Sequence, residues 1–244
     1  MQQAKRQCDV VVASIFVNPT QFAPDEDLEK YPRPLDDDLV ACREAGVACV
    51  FTPDVPTMYP DDSVTVVDVR KLTRVFEGAH RPSHFQGVTT VVMKLLNIVM
   101  PDAAFFGQKD YQQQLVIRRM CIDLDVPVDI VTCPTIREDD GLAMSSRNRY
   151  LTPEQRKSAL SLSAALRTVE QSIGSGESDM SKLRSEMQST LQSTPGVDLD
   201  YATIVHPETL VEISDVQPVQ VALIAARVGA TRLIDNLVIE SPSR

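Results

Sequence analysis

The sequence has 244 residues, of which 43% are hydrophobic and 24% charged, so a wholly disordered or fibrous chain is excluded. Lysine and arginine number 24 against 34 aspartate and glutamate, which gives a net charge of −10. Because binding to nucleic acid or to an anionic membrane requires a basic surface, this balance argues against both as main partners. The apolar runs are too short to cross a bilayer, and we expect no signal peptide. Five cysteines at scattered spacings predict reduced thiols in a cytoplasmic protein.

The first half of the sequence alternates short apolar runs with helical patterns. Strands are predicted over Val10–Val17, Val47–Thr52, Ala103–Phe106 and Val128–Cys133, the first of them buried on both faces. Helices are predicted over Leu35–Gly46, Gly87–Met100 and Tyr111–Asp123, and a further apolar run covers Val64–Val69. Strands and helices that alternate over short connections are typical of a Rossmann-like parallel sheet, so an α/β fold is predicted.

The pattern changes after about residue 137. Helices are predicted over Glu154–Ile173 and Met180–Leu191, followed by strands over Leu199–Val205, Val219–Ala226 and Leu233–Ile239. Helices followed by strands indicate a small α+β domain with its own core. We therefore expect two domains, over residues 1–135 and 136–244.

The start of the sequence resembles the last turns of a helix that leads into the first predicted strand. In a doubly wound sheet the first βα unit lies in the middle of the strand order. We therefore expect the first domain to be N-terminally incomplete and to lack its first βα unit.

Two polar segments follow predicted strands, where ligands bind in open parallel sheets. In Asn18–Phe22 the amides of Asn18 and Gln21 suit a hydroxyl or carboxylate ligand, and the alternative is a capped turn. In Phe106–Gln113 a glycine and a lysine at the start of a helix suit a phosphate, and the alternative is an ordinary strand–helix junction.

Two more segments are rich in polar residues. Gly141–Asn148 carries two hydroxyls and an arginine that suit a clamp on a triphosphate, against the alternative of a solvated linker. Glu77–Gly87 holds two of the three histidines, which we interpret as a loop on the substrate side rather than a zinc site, because a third ligand at typical spacing is missing.

Together and in this order, these segments resemble the pantoate–β-alanine ligase (pantothenate synthetase) family. The matching segments are Ser14–Phe22, Tyr31–Arg33, Arg81–Gly87, Phe106–Gln113, Asp140–Asn148 and Arg232–Asn236. The resemblance covers nearly the whole chain and implies the nucleotidyl transferase type of fold in a cytoplasmic homodimer. It also implies a ligase in which pantoate attacks Mg²⁺-bound ATP, pyrophosphate leaves, and β-alanine attacks the pantoyl-adenylate to release AMP.

The resemblance further implies roles for individual residues. Gln21 and Gln113 are expected to hold pantoate, with Asn18 beside them. The residues expected to bind ATP are Gly107, Gln108, Lys109, Asp110, Ile136, Met144, Ser145, Ser146 and Arg147. Those predicted to be catalytic are Lys109, Ser145, Ser146 and Arg147, and the two cations would offset the charge that develops on the phosphates. The protein ligands of Mg²⁺ are left open.

The sequence departs from the family pattern in two places. The family's Gly-Glu-Lys-Asp has Gln108 in place of the glutamate, and the segment with Pro-Thr-Met-Gly and His-x-Gly-His is absent, so no catalytic histidine is predicted. The alternative is therefore a truncated, inactive homologue that only binds nucleotide or pantoate, or serves as a dimer subunit. A nucleotidyltransferase that makes a dinucleotide is disfavoured by the Asn18–Phe22 segment.

Overall fold

The computed structural model describes residues 1–24 and 26–241, which divide into two compact units. The first unit comprises Met1–Gly107 and Gln112–Cys133, and the second comprises Gln108–Tyr111 and the chain from Pro134 onward. The short segment Gln108–Tyr111 thus belongs to the second unit although it precedes the expected boundary. The two domains expected over residues 1–135 and 136–244 stay a prediction.

The first unit consists of helices and parallel strands. Its strands are β1 (Val12–Ser14), β2 (Cys49–Phe51), β3 (Ala103–Gly107) and β4 (Asp129–Cys133). Its helices are α1 (Gln2–Gln7), α2 (Leu35–Glu44), α3 (Val55–Met58), α4 (Glu77–His80), α5 (His84–Val99) and α6 (Tyr111–Asp123). β1 pairs with β2 and β3 pairs with β4, both in parallel, so the predicted α/β class is confirmed.

β1 is shorter and more exposed than the sequence predicts. The prediction of a strand buried on both faces over Val10–Val17 is wrong, because only Val12–Ser14 pairs and Val10 and Val12 are 67% and 39% exposed. Among the described strands β1 pairs with β2 alone. A strand with one neighbour leaves its other edge uncovered, and an apolar run in the sequence does not reveal this.

One face of α5 lies in the core of the first unit. Its buried apolar side chains are Phe85, Val88, Val91, Val92 and Leu96. The hydroxyl of Thr89 donates to the Val67 carbonyl (2.6 Å), and the hydroxyl of Thr90 accepts from the Val67 N–H (3.0 Å). The apolar run Val64–Val69 is therefore held along α5 by side-chain hydroxyls and forms no strand.

The second unit packs two helices on an antiparallel sheet. Its helices are α7 (Pro153–Gly174) and α8 (Met180–Gln192), and its strands are β5 (Val197–Val205), β6 (Val219–Val228) and β7 (Thr231–Glu240), in the order β5-β6-β7. Thr152 and Gln155 form a capping box at the start of α7. The core side chains of both helices and the sheet are almost fully buried, among them Leu162, Leu166, Leu183, Met187, Ile204 and Ile224.

Across the described residues, no helix combines the length and the apolar composition that a membrane span requires. All five cysteines are free thiols, and burial raises the pKa of the Cys121 thiol.

Candidate functional site

In the first unit, a 3-10 turn after β1 carries Gln21, and Asn18 caps the start of this turn. The Asn18 side-chain oxygen accepts from the Thr20 N–H (3.3 Å) and from the Tyr59 hydroxyl (2.8 Å). The Asn18 amide donates to Gln21 Oε1 (3.2 Å) and to the Gly87 carbonyl (3.1 Å). Asn18 is 2% exposed, and these bonds use both of its amide hydrogens and its oxygen. The structure thus gives Asn18 a supporting place, and its direct contact with a substrate stays a prediction.

The start of α5 fixes the backbone of Gln21. Arg81 Nη2 donates to the Gln21 carbonyl (3.2 Å), and Nδ1 of His84 bonds to the same oxygen (2.9 Å). Arg81 is itself held by a two-pronged ion pair with Glu26, in which Nη2 lies 2.7 Å from Oε2. A Cβ placed on Gly87 would lie 2.7 Å from the Gln21 nitrogen, so α5 and the turn touch backbone to backbone. The position of Gln21 therefore depends on α5.

The imidazole of His84 is held in its neutral form. Burial, followed by the charge of Arg81, lowers the pKa of His84 from 6.5 to about 4. Since the Gln21 carbonyl can only accept, the proton of the neutral ring lies on Nδ1. This arrangement makes His84 a support for Gln21, a role that the sequence pattern of Glu77–Gly87 did not reveal.

Three consecutive glutamines at the start of α6 have different partners. Gln112 is buried, and its amide donates to the carbonyls of Leu72 (2.7 Å) and Val75 (2.8 Å). The side chain of Gln114 accepts from a hydroxyl on β4 (3.0 Å). The side chain of Gln113, which is half-buried, makes no protein hydrogen bond within residues 1–24 and 26–241. Of the three, the one predicted to bind substrate is thus the one whose amide remains available.

In the second unit, Lys109 and the loop that carries Ser145 line one small cavity. Asn148 and Asp235 also line this cavity, whose volume is about 10 Å³. That volume holds no more than about one water molecule. The cavity is therefore not a nucleotide pocket, but it shows that two residues predicted to be catalytic, Lys109 and Ser145, are neighbours.

A short hairpin leads into this loop. Arg137 and Ala143 form an antiparallel bridge, and the Met144 N–H donates to the Ile136 carbonyl (2.9 Å). The side chains of Ile136 and Met144 are 63% and 56% exposed, so both are open to a ligand. The sequence prediction that both contact the nucleotide stays a prediction, and the structure shows that they are adjacent.

The loop beyond the hairpin is fixed by Asn148. Its amide nitrogen donates to Glu138 Oε1 (2.6 Å) and to the Ala143 carbonyl (3.1 Å). The hydroxyl of Ser145 accepts from the Arg147 N–H (3.3 Å) and caps the 3-10 turn that follows. Ser145 and Arg147 are therefore presented from a braced turn rather than from a loose linker, which was the alternative interpretation of this segment.

Two residues of β7 complete the second unit's candidate site, and the sequence patterns assigned no role to either. The Asn236 amide donates to the carbonyls of Gln108 (3.0 Å) and Lys109 (2.7 Å). The Asp235 carboxylate accepts from Arg137 Nη1 (2.7 Å) and Nη2 (3.0 Å). Both side chains are buried. A carboxylate and an amide in the middle of an apolar strand are the signal that could have singled them out.

The chain is similar to known proteins over nearly its whole length. The family model described as pantoate-beta-alanine ligase matches residues 1–238. The pantothenate synthetase of Moorella thermoacetica is 52% identical over 237 residues, which cover 97% of this chain and 84% of the relative. That of Acidobacterium capsulatum is 50% identical over 244 residues, covering 100% of this chain and 82% of the relative.

Solved structures agree with these relatives. The pantothenate synthetase from Thermus thermophilus has a TM-score of 0.94 at 48% identity, over 97% of this chain and 86% of that one. The pantoate-beta-alanine ligase from Francisella tularensis, solved in complex with Beta-gamma ATP and Beta-alanine, has a TM-score of 0.78 at 33% identity. The match covers 97% of this chain and 82% of that one. The fold and ligase class predicted from the sequence are thereby confirmed, and the chain belongs to the pantoate-beta-alanine ligase family.

Proposed function

We propose that this chain catalyses the ATP-dependent, AMP-forming condensation of pantoate with β-alanine to pantothenate. The observation that carries the proposal is the family match over residues 1–238, together with relatives about 50% identical. Similarity of this extent does not favour the alternative of an inactive homologue that only binds its ligands.

The proposed reaction has two steps. A carboxylate oxygen of pantoate attacks the α-phosphorus of ATP, and the bond to the β-phosphate breaks as pyrophosphate leaves. The amine of β-alanine then attacks the acyl carbon of the pantoyl-adenylate and loses a proton, and AMP leaves. The intermediate divides one difficult step into two easier ones, because a carboxylate resists attack by an amine whereas an acyl-adenylate carries a good leaving group.

We propose that Gln21 and Gln113 hold pantoate, and that Gln21 also lies near β-alanine. Oε1 of Gln21 accepts a hydrogen bond from the Asn18 amide, whereas the amide nitrogen of Gln21 makes no bond to any residue that the structure describes. Amide nitrogens suit the carboxylate and hydroxyl groups of pantoate, because a buried donor discriminates strongly against a ligand that cannot pair with it.

We propose that the nucleotide is bound by Gly107, Gln108, Lys109 and Asp110, and by Ile136 and Met144–Arg147. A Cβ on Gly107 would meet no atom within 4 Å, which leaves this backbone open to close approach by a phosphate. Lys109 and Ser145 line the same small cavity, and this closeness supports the proposal that both contact the phosphates of one nucleotide. Lys109 and Arg147 would offset the negative charge that develops as pyrophosphate leaves.

Magnesium, a cytoplasmic location and a homodimer are parts of the same proposal. Among the described residues, no group of three or more His, Cys, Asp or Glu side chains is arranged to hold a metal ion. Mg²⁺ is commonly bound mainly by the phosphates of ATP, and its charge would there offset theirs.

The test is an assay of the purified protein with ATP, pantoate and β-alanine. We expect pyrophosphate release to require pantoate, and pantothenate to form only when all three are present. Lys109→Ala should lower turnover about a hundredfold, since a cation on the leaving phosphates contributes roughly 3 kcal/mol. Lys157→Ala, which removes an exposed lysine of α7, is the matched control and should leave turnover unchanged. Ligand binding without AMP formation would favour the alternative of an inactive homologue.

A further inference from the structure

We propose that Asp235 and Asn236 are positioning residues, which hold Lys109 and the Ser145 loop in one fixed arrangement. The proposal rests on the proposed function, because it deepens the roles given there to Lys109 and Ser145. Neither β7 residue is assigned a contact with substrate. Each acts through a segment that carries such a residue.

Asn236 fixes the backbone on which Lys109 stands. Its amide nitrogen donates one hydrogen to the Gln108 carbonyl (3.0 Å) and one to the Lys109 carbonyl (2.7 Å). The two carbonyls flank the Lys109 Cα, so their orientation sets the direction in which the lysine side chain leaves the backbone. Asn236 is 2% exposed, and water therefore cannot replace these bonds without opening the core.

Asp235 fixes the other segment. Its carboxylate accepts from both terminal nitrogens of Arg137, and Arg137 Nη1 also donates to the Gly141 carbonyl (3.2 Å). Arg137 is bridged by its backbone to Ala143, two residues before Ser145. Asp235 is 3% exposed. A substitution that removes its carboxylate would leave the half-buried Arg137 without its ion-pair partner.

The two bonds act together because Asp235 and Asn236 are adjacent on one strand. β7 pairs with β6 over ten consecutive residues, and neighbouring residues of a strand project to opposite faces, so the sheet fixes the directions in which the two side chains leave β7. Asp235 oxygen Oδ1 also accepts from the Asn236 N–H (2.8 Å). Lys109, Ser145 and Asp235 line the same cavity, as this arrangement requires.

The test compares Asn236→Ala with Gln220→Ala in pantoate-dependent pyrophosphate release. Gln220 is a matched control, because it is a fully buried amide on the neighbouring strand that donates to the Ile239 carbonyl (3.0 Å). We expect Asn236→Ala to lower kcat about ten- to a hundredfold, as misplacement of a catalytic group by about 1 Å does, with little change in the KM for pantoate. Gln220→Ala should reduce thermal stability and leave kcat per folded molecule unchanged.

A double substitution separates positioning from general damage. If Asn236 acts through Lys109, adding Asn236→Ala to Lys109→Ala should lower kcat no further. A further loss as large as that in the wild-type background would overturn the proposal, as would wild-type kcat in the single variant. If Asn236→Ala does not fold, Asn236→Ser keeps one donor and should show an intermediate loss, whereas unchanged kcat would refute the proposal.

Hydrogen exchange provides a readout that does not depend on activity. In Asn236→Ala, the amides of residues 108–111 should exchange faster than in the wild type, whereas in Gln220→Ala they should not. If the wild-type protein released no pyrophosphate with pantoate, the proposed function would fail, and the exchange rates would still decide whether Asn236 fixes this turn. Equal exchange in both variants would refute the positioning role.

Discussion

Substituting Gly87 by alanine tests whether α5 determines the position of Gln21. A Cβ at Gly87 would lie 2.4 Å from the carbonyl oxygen of Thr20 and 2.7 Å from the nitrogen of Gln21. Both atoms are backbone atoms, so no side chain can rotate away to relieve the contact. The turn or the helix must move instead, and this movement strains the bonds that Arg81 and His84 make to the Gln21 carbonyl.

The size of the effect follows from the length of this movement. Restoring an ordinary contact of 3.4 Å from 2.4 Å requires a shift of about 1 Å. Extra atoms forced into a packed interior cost about 1–3 kcal/mol. For a chain of this size each kcal/mol lowers the melting temperature by roughly 2–4 °C, so a decrease of about 2–12 °C is expected. Because Gln21 is proposed to hold pantoate, the KM for pantoate should rise while that for ATP changes little.

The assays are thermal unfolding and steady-state kinetics with each substrate varied in turn. Gly174→Ala is the matched control, because a Cβ at this last position of α7 would meet no atom within 4 Å. Since alanine favours a helix over glycine by about 1 kcal/mol, this variant should be at least as stable as the wild type. If Gly87→Ala retained both the melting temperature and the KM for pantoate, α5 would not support Gln21 as described.

Two further predictions concern the same unit. Gln21→Ala and Gln113→Ala should each raise the KM for pantoate far more than the KM for ATP, because each removes a bond that contributes roughly 1–3 kcal/mol to pantoate binding. Equal effects on both substrates would mean that these glutamines only support their segments. Because the pKa of His84 is lowered, the unfolded chain binds more protons than the folded one between pH 6.5 and about 4. The free energy of unfolding should therefore decrease as the pH is lowered through this window, by at most about 3 kcal/mol. His84→Asn, whose amide can replace the Nδ1–H donor, should flatten this part of a urea-unfolding profile measured against pH, and an unchanged slope would show that His84 does not cause it.

Local sequence patterns predicted most of the elements. Helix α6 spans Tyr111–Asp123 as predicted, because apolar spacing and the strand before it are properties of neighbouring residues. Burial of β1 was not predictable in the same way, since it depends on which strands lie beside it. Gln113 was singled out by the resemblance to the ligase family, but only the contacts of Gln112 and Gln114 show why it differs from them.

The second unit's candidate site shows the same limit. Lys109 and Ser145 were found because a lysine at a helix start and hydroxyls after a glycine are patterns within a few residues. Asn236 was matched only as part of a segment, because its partner Lys109 lies 127 residues earlier in the chain. Contacts over such separations leave no periodic trace in the sequence, so the support of a site is harder to predict than the groups that it presents.

The division of the chain into units has a consequence for synthesis on the ribosome. Gln108–Tyr111 belongs to the second unit, while the residues on both sides of it belong to the first. The turn that carries Lys109 therefore emerges well before its anchor, because Asn236 is made 127 residues later. Contacts between residues so far apart in sequence form slowly. We therefore expect Lys109 to reach its final position among the last events of folding, after the strands and helices of the first unit are in place.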